Sequence, residues 1–545
     1  MTVGSPDGRG VAGSVAAGSD IAVARSQTVG DIPRRSAART PDKLAVIHRD
    51  TRLTFREFDI AVDRVAAALY DEGIRRGDTV ALLSHNCWQY PVVIFAAARI
   101  AAVAVPINFM LTAPEVAYIL DDCSAACLVV EDALIEVAES AIAASAGDVR
   151  VRAVIDLDGA IDTGWPSIAE WTDGDRGPAP HVEVSDDDVV RIMYTSGTES
   201  RPKGAMHTSR SLMWQYMSCI VTGGMSGDDV EVHSLPLYHC AQLDNFFTTD
   251  LYLGATSIIL DRPDPSNLLR TIASEGATKL FCPPTVWIAL LRSPDFDPSA
   301  LSTLRKGYYG ASALPTEILR EMTARLPGLR LWNFYGQTEM ASLATALGPD
   351  DQETRSGSAG RPALNVQTQI VDEADRPVGN GTVGEIVHRS PQATVGYLNQ
   401  PEKTAESFRS GWFHSGDLGY FDEEGYLWVV DRQKDMIKTG GENVSSREVE
   451  EVLFEIPGVR EAAVFGVPHP RWIEAIAVVV VTDPDAADTV TVDEETVLRF
   501  CRERLAGYKV PKYVIVADAL PKNPSGKILK RTLRDTYGTI ADRER

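Results

Sequence analysis

Helical and strand patterns alternate along the first half of the chain, over residues 28–260. Residues 54–74 carry apolar side chains at positions i, i+3, i+4 and i+7 behind Thr54, a candidate N-cap, and this spacing predicts an amphipathic helix that ends near Gly73. The β-rich runs DTVALLSH and AAVAVPIN follow, separated by a helix-like segment. Because strands that alternate with helices are usually joined by crossover connections, the pattern predicts an α/β fold on a largely parallel sheet.

The pattern changes beyond Gly381. The runs TVGEIVHRS and GYFDEEGYLWVVDR, with their Gly and Asp turns, indicate a small β-rich subdomain. The charged, glycine-bearing stretch DRQKDMIKTGGEN, residues 431–443, is typical of a connector. Helix and strand patterns then continue over about 110 residues, which predicts a compact α+β domain.

Charge and composition exclude several classes of protein. The net charge is −23, from 76 acidic and 53 basic residues, and no basic stripe is interleaved with aromatic residues, so we expect no nucleic-acid partner. The seven cysteines include no CxxC pair, which favours reduced thiols and a cytoplasmic protein. The apolar run at residues 92–107 is interrupted by a charge, so we expect no transmembrane segment. The amino terminus is rich in Gly, Ser and Ala and predicts a disordered tail over residues 1–28.

The stretch MYTSGTESRPKGA, residues 193–205, combines hydroxyl side chains, two glycines and a lysine. It does not match the pattern GxxxxGK[ST], so two alternatives stay open for it: an ordinary solvated loop and a phosphate-binding loop. Its hydroxyl and backbone N–H groups can donate to phosphate oxygens, and its lysine adds a positive charge. We expect a strand before it and a helix after it, which places the loop at a strand-to-helix junction where anions are favoured.

Four further motifs follow this loop in a fixed order: NFYGQTE (333–339), WFHSGD (412–417), DRQKDMIKTGGEN (431–443) and PKNPSGKILK (521–530). With this ordered set, residues 31–536 of the chain resemble the adenylate-forming (ANL) superfamily, which includes acyl-CoA synthetases, carrier-loading adenylation domains and luciferases. The resemblance implies that a carboxylate attacks the α-phosphate of ATP to form an acyl-adenylate and pyrophosphate. A thiol, usually that of coenzyme A, then displaces AMP. Such chemistry depends on positioning and charge neutralisation.

The resemblance also implies the domain organisation. After the tail at residues 1–28, it predicts a large amino-terminal domain of stacked α/β subdomains plus a β-rich subdomain at residues 29–432. A small, mobile α+β lid domain is expected at residues 433–545. The implied substrates are a small-molecule carboxylic acid, ATP and coenzyme A, with Mg²⁺ as the metal. The oligomeric state stays open, with a homodimer among the alternatives.

Nucleotide-binding roles follow from the matched motifs. The residues implied to bracket the β- and γ-phosphates are Thr195, Ser196, Gly197, Thr198 and Lys203. Those implied to flank the adenine and the acyl pocket are Gly310, Ala311, Ser312, Tyr335 and Gly336. Thr338 is expected to contact the α-phosphate and Glu339 to hold Mg²⁺, and Asp417 with Arg432 to bind the ribose hydroxyls. Interior packing for Tyr335 and a plain turn at Asp417 are the structural alternatives.

Lys527 is the residue we expect to be catalytic, because its ammonium would bridge the substrate carboxylate and the α-phosphate as negative charge develops. His239 resembles a gate beside the acyl carboxylate, although a lone histidine is more often an interior group. Lys434 matches the family's hinge, about which the small domain rotates between the half-reactions. That rotation would withdraw Lys527 and present the loop that starts at Lys438, in which Gly440 and Gly441 let the pantetheine arm pass. The other histidines show no metal-ligand grouping, so no structural zinc is expected.

The chain departs from the family pattern at several positions. Glu199-Ser200 stands in the phosphate loop where many members have Thr-Gly, Ser445-Ser446 where Tyr-Pro is frequent, and Trp472-Ile473-Glu474 where Trp-Gly-Glu is usual. Gly336 stands where acetate-specific relatives carry Trp, which implies a pocket for longer acids, and Phe334 stands where many aryl- and long-chain-specific members have Gly. One methylene changes specificity by only about 1–3 kcal/mol, so these residues name no substrate.

Our first hypothesis is an acyl-CoA synthetase for a medium- or long-chain fatty acid. The alternatives are a ligase for an aryl or other acid, an enzyme that loads a carrier-protein phosphopantetheine, and a catalytically silent adenylate-binding protein. The absence of a fused carrier domain from the sequence, together with the lysine and glycine pair of residues 438–441, favours coenzyme A as the acceptor.

Overall fold

A computed structural model of the 545-residue chain describes residues 24–25, 27–158, 163–173, 176–195, 201–310, 314–439, 442–483, 492–523 and 526–541. Most of the tail predicted at residues 1–28 lies outside the described residues, although Thr28 is buried. Among the helices that are described, none combines the length and the apolar character that a bilayer span requires.

The first described strands form the hairpin β1 (Leu44–His48) and β2 (Thr51–Thr54). A six-stranded sheet follows, composed of β3 (Thr79–Leu83), β4 (Val103–Ile107), β5 (Ala125–Glu131), β6 (Val151–Ile155), β7 (Val189–Thr195) and β8 (Lys203–Thr208). Its order is β6-β5-β3-β4-β7-β8, and all neighbours are parallel except β7 and β8. The largely parallel sheet predicted from the alternating pattern is therefore confirmed.

A nine-stranded sheet includes the first hairpin, β1 and β2. Its other strands are β9 (Val230–His233), β10 (Thr256–Ile259), β11 (Lys279–Phe281), β12 (Lys306–Gly310), β13 (Arg330–Tyr335), β14 (Thr345–Leu347) and β15 (Arg361–Pro362). The order is β15-β14-β13-β12-β11-β9-β10-β1-β2, with parallel pairing from β1 through β13. The carboxyl ends of β12 and β13 therefore lie side by side at one edge of the sheet.

The β-rich subdomain expected beyond Gly381 is a four-stranded antiparallel sheet that already begins at residue 367. It consists of β16 (Gln367–Val371), β17 (Gly384–Arg389), β18 (Phe413–Phe421) and β19 (Leu427–Arg432). The small carboxyl-terminal domain has a five-stranded sheet of β20 (Ile437–Thr439), β21 (Glu442–Val444), β22 (Val459–His469), β23 (Ile473–Thr482) and β24 (Tyr513–Ala517). The boundary predicted between residues 432 and 433 stays a prediction.

The α-helices, in chain order, are α1 (Ile32–Arg39), α2 (Phe55–Asp71), α3 (Gln89–Arg99), α4 (Ala113–Asp122), α5 (Ile135–Ala144), α6 (Ile168–Asp173), α7 (Ser209–Gly223), α8 (Thr248–Leu253), α9 (Pro265–Glu275), α10 (Pro284–Leu291), α11 (Thr316–Arg325), α12 (Pro401–Ser407), α13 (Ser446–Phe454), α14 (Glu494–Arg504) and α15 (Lys530–Tyr537). The helix predicted at residues 54–74 is α2, and Thr54 caps it as expected. The Thr54 hydroxyl accepts from the Glu57 N–H at 3.2 Å while the Glu57 carboxylate accepts from the Thr54 N–H at 2.8 Å, a complete capping box.

The small domain has apolar groups on both faces of its sheet, because side chains alternate along β22 and β23. On one face of the sheet, Val464 and Val478 pack in a buried cluster with Val449 of α13 and Val497 of α14. Phe465 and its neighbours pack on the opposite face with Leu533 from α15. The small domain therefore has its own hydrophobic core.

Candidate active site

Asp417 is the centre of a hydrogen-bonded group that joins two sheets. This residue is only 4% exposed. The Tyr335 hydroxyl, at the end of β13, donates to Asp417 Oδ2 at 2.7 Å, and Gln337 Nε2 donates to the same oxygen at 3.0 Å. Arg432 Nε lies 3.3 Å from Asp417 Oδ1 because the two residues are direct partners in the β18–β19 ladder. The structure thus brings three predicted residues together and adds Gln337, which the sequence analysis missed.

The end of the predicted phosphate loop lies in a β-hairpin. Thr195 at the end of β7 pairs with Lys203 at the start of β8, and the two strands are antiparallel. The predicted strand-to-helix junction is therefore wrong: the run KGAMHT, residues 203–208, forms a strand that pairs with β7 before α7 begins at Ser209. The predicted residues Ser196, Gly197 and Thr198, with the unusual pair Glu199-Ser200, lie outside the described residues.

Tyr397 links this hairpin to Glu339. The Tyr397 hydroxyl donates to Glu339 Oε1 at 2.7 Å, and Lys203 Nζ lies 5.5 Å from the centre of the Tyr397 ring. The Tyr397 segment also pairs with β8, since the Leu398 N–H donates to the Gly204 carbonyl at 2.8 Å. Tyr397 therefore contacts both the predicted phosphate ligand Lys203 and the predicted metal ligand Glu339. Nothing in the sequence around it, GYLNQ, indicated this role.

Lys527 belongs to the small domain, and its charge interacts with Asp417 and Arg432 of the large domain. Its N–H donates to Asn523 Oδ1 at 2.8 Å, which shapes the loop, and the preceding Gly526 carbonyl accepts from Thr285 of the large domain at 3.4 Å. Protein atoms surround the side chain, although the residue is exposed to solvent. This partial desolvation, with the nearby Arg432 guanidinium, lowers the pKa of Lys527 to about 8.

His239 faces the same cleft, directly before a π-helical turn at Ala241–Phe247. Burial and the Lys527 ammonium lower the pKa of His239 to about 4, so the imidazole is neutral at pH 7. Its Nδ1 accepts from the Ala241 N–H at 3.1 Å, which places the ring proton on Nε2. The neighbouring Cys240 Sγ lies 3.4 Å from the Thr338 hydroxyl, so Thr338 and His239 line adjoining parts of the cleft.

Gly310 and Gly336 are required by close backbone approach. A Cβ at Gly310 would lie 2.4 Å from the Phe334 carbonyl oxygen, and one at Gly336 would lie 1.9 Å from the Ser342 carbonyl oxygen. With this backbone, a larger residue at 336 would first displace the chain near Ser342, so the inference from Gly336 to the length of the pocket loses its geometric basis. Ala311 and Ser312, predicted beside the adenine, lie outside the described residues.

Aromatic side chains pack behind the end of β13. Phe334 is 5% exposed, and its ring stacks on Phe246 of the π-helical turn with centroids 5.8 Å apart. Phe246 in turn stacks on Phe281 at 4.4 Å, and Tyr308 meets Phe334 edge-on at 5.4 Å. The space behind the end of β13 is therefore filled by aromatic groups.

The predicted hinge and thiol-acceptor loop lie on the small-domain side. Lys434 is part of a turn in which the Asp435 N–H donates to the Arg432 carbonyl at 2.9 Å. Burial, with the Arg432 charge, lowers the pKa of Lys434. Lys438 is exposed on β20, and its N–H donates to Glu474 at 2.7 Å. Gly440 and Gly441 lie outside the described residues.

Comparison with known proteins agrees with this architecture. The AMP-binding enzyme family matches residues 33–398, and the AMP-binding enzyme C-terminal domain matches residues 448–527. Feruloyl-CoA synthase of Amycolatopsis sp is 38% identical over 94% of this chain and 100% of its own length. The long-chain-fatty-acid–CoA ligase FadD13 of Mycobacterium tuberculosis is 34% identical over 94% and 99%. ATP-bound MatB from Rhodopseudomonas palustris has a TM-score of 0.84 at 30% identity, covering 94% of this chain and all of that one.

These matches cover nearly the whole chain, and the chain belongs to the AMP-binding enzyme family, the adenylate-forming class that the motifs indicated. Within that class it is an AMP-forming acid–thiol ligase, an acyl- or aryl-CoA ligase that binds ATP and acts through an adenylate.

Proposed function

We propose that the protein converts an aromatic carboxylic acid to its CoA thioester in two steps within the cleft between its domains. The observation that carries the proposal is the position of Lys527: the preceding Gly526 contacts Thr285 of the large domain, and the Lys527 charge interacts with Asp417, Arg432 and His239. A cation in this place can neutralise the charge that accumulates when two anions, a carboxylate and a phosphate, react.

In the first step a carboxylate oxygen forms a bond to the α-phosphorus while the bond to the bridging oxygen breaks and pyrophosphate leaves. Lys527 lies between the two anions, and Thr338 donates to an α-phosphate oxygen. Asp417 accepts from the ribose hydroxyls and Arg432 holds Asp417 in place. His239 offers its Nε2 proton to the carboxylate without adding charge, because burial keeps the imidazole neutral.

The phosphate groups lie at the β7–β8 hairpin. Thr195 and Lys203 bind the β- and γ-phosphates, together with Ser196, Gly197 and Thr198 of the loop between them. The Glu339 carboxylate suits Mg²⁺, since this metal binds one or two carboxylates plus substrate phosphates. The Tyr397 hydroxyl donates to Glu339 Oε1, and the second carboxylate oxygen would be the metal ligand. When bound, Mg²⁺ would neutralise charge on the leaving pyrophosphate.

In the second step the small domain turns about Lys434, and the thiol sulfur of coenzyme A attacks the acyl carbon as AMP leaves with the bonding electrons. Lys438, Gly440 and Gly441 line the path of the pantetheine arm. Lys527 leaves the cleft in this movement, so the two half-reactions depend on different faces of one domain.

An aromatic acid is the substrate class we favour over a fatty acid. Phe334, Phe246 and Tyr308 occupy the space behind the end of β13 with buried rings, which favours a flat acid over a long alkyl chain. Of the two curated relatives above, the more similar carries the name of an aryl acid and the other that of long-chain fatty acids. All seven cysteines are buried and free, which supports a cytoplasmic location.

Acid-dependent exchange of labelled pyrophosphate into ATP tests the proposal with 3-phenylpropanoate and nonanoate, which have equal numbers of carbon atoms. We expect the aromatic acid to support the faster exchange, and addition of coenzyme A to yield its thioester and AMP. Faster exchange with nonanoate would restore the fatty-acid hypothesis. Thioester formation only with a carrier protein would assign the enzyme to the carrier-loading class.

A further inference from the structure

The segment Ser445–Arg447 contacts the large domain through each of its three residues. Many relatives have Tyr-Pro at its first two positions. The Ser445 hydroxyl donates to the Val430 carbonyl at 2.8 Å, and the Ser446 N–H donates to Asp431 Oδ2 at 2.7 Å. Both acceptors lie on β19, the last strand before the predicted hinge. Ser445 also caps α13 by accepting from the Glu448 N–H, so the contact forms at a rigid helix start.

Arg447 makes the contact that reaches furthest into the large domain. Its Nη1 donates to the Val429 carbonyl at 2.7 Å and its Nη2 to the Gly357 carbonyl at 2.8 Å. One planar guanidinium therefore joins α13 to two separate segments of the large domain. Lysine cannot reproduce this fork, because its ammonium acts as a point donor without fixed geometry.

The same segment is connected to the Lys527 loop. Lys530, three residues after Lys527, donates to the Ser446 hydroxyl at 2.6 Å and pairs with Glu450 of α13 at 2.8 Å. The start of α15 is therefore held against the start of α13. Any movement of Arg447 relative to the large domain is transmitted to the loop that carries the catalytic lysine.

We propose that Arg447, with Ser445 and Ser446, forms a latch that holds the small domain in the orientation placing Lys527 in the cleft. Arg447 is then a positioning residue for the first half-reaction, acting through Lys527 without touching the substrate. The inference rests on the proposed two-step function, since rotation about Lys434 has to break all of these contacts. The latch contacts therefore set the equilibrium between the two orientations of the small domain.

The test measures each half-reaction separately in the full-length enzyme carrying Arg447→Ala, Arg447→Lys or the control Arg502→Ala. Arg502 is an exposed arginine of α14 in the same domain. Acid-dependent pyrophosphate exchange reports the first step, and thioester formation from supplied acyl-AMP and coenzyme A reports the second. We expect Arg447→Ala to slow exchange about 10-fold, with the second step unchanged or faster, and Arg447→Lys to lie between Ala and wild type.

Equal loss of both half-reactions in Arg447→Ala, or no loss in either, would overturn the latch, because a purely structural arginine affects both steps alike. If Arg447→Ala does not fold, the ratio of the two rates in Arg447→Lys decides by the same criterion. A wild-type enzyme that makes no thioester from acyl-AMP and coenzyme A would instead refute the proposed function.

Discussion

Asp417 and Arg432 face each other across the β18–β19 ladder, with Arg432 Nε 3.3 Å from Asp417 Oδ1. The pairing fixes the carboxylate on a rigid sheet, while Tyr335 and Gln337 hold its other oxygen. Arg432 is also the last residue of β19, immediately before the turn that contains Lys434. The ribose-binding pair is therefore built into the strand from which the small domain departs.

Asp417→Asn should raise KM for ATP about 10-fold or more, because the neutral amide loses the charge-assisted bonds of the carboxylate. The measurement is pyrophosphate exchange against ATP concentration. Asp422→Asn is the matched control, since Asp422 lies on the same hairpin and binds Arg355 and Trp428 instead. An unchanged KM in Asp417→Asn would remove this residue from the nucleotide site.

The first half-reaction should depend on pH through Lys527. A lysine whose pKa is lowered to about 8 carries its charge below that pH and loses it above. The value of kcat/KM for ATP should therefore be maximal below about 8 and fall as the pH rises through this value. Lys527→Arg keeps the charge at all these pH values, so its profile should lose that alkaline limb. A wild-type profile without the limb would contradict the desolvated environment.

Phe334→Ala should widen the acyl pocket at a cost in stability. Removing a buried phenyl group costs about 3–5 kcal/mol of unfolding free energy, and bulkier acids should gain kcat/KM relative to 3-phenylpropanoate. Phe281→Ala is the control, because it also removes a ring stacked on Phe246 but lies two strands away from β13. The same change in acid preference in both variants would show that Phe334 has no special place in the pocket.

Ile473→Gly should stabilise the protein. Ile473 has φ of 72°, which is unusual for a β-branched residue, and it is 70% exposed. Its backbone is therefore strained, and burial of its side chain contributes little stability to offset that strain. We expect a gain of about 1 kcal/mol, measured from the denaturant midpoint. Ile515 lies on the neighbouring strand β24 and does not have a positive φ, so Ile515→Gly should destabilise the protein. A loss of stability in Ile473→Gly would mean that its side chain makes contacts that outweigh the strain.

Local signals explain what could be predicted from the sequence. The Thr54 capping box and the helix it starts depend on residues three apart, and the alternation of helix and strand patterns predicts parallel pairing. The hairpin at Thr195 and Lys203 was not predicted because residues 203–205 were assigned to the glycine-bearing loop, and a six-residue strand between a loop and a helix is too short to show a clear pattern of its own.

Contacts between distant residues explain what could not be predicted. Tyr397 meets Glu339 across 58 residues, and no local pattern marks either partner for the other. The same holds for the buried group of Glu231, Asp250 and Lys279. Lys279 Nζ lies 2.8 Å from Glu231 and also binds Asp250, so it supplies the positive charge that these carboxylates need. Such groups depend on the tertiary fold.

Lys527→Ala should separate the two half-reactions, because a single lysine of the small domain is assigned to acid activation alone. Pyrophosphate exchange and thioester formation from supplied acyl-AMP are measured side by side in the variant and in wild type. We expect the variant to lose acid-dependent exchange yet to make thioester at the wild-type rate. Exchange at the wild-type rate, or equal loss of both reactions, would contradict it.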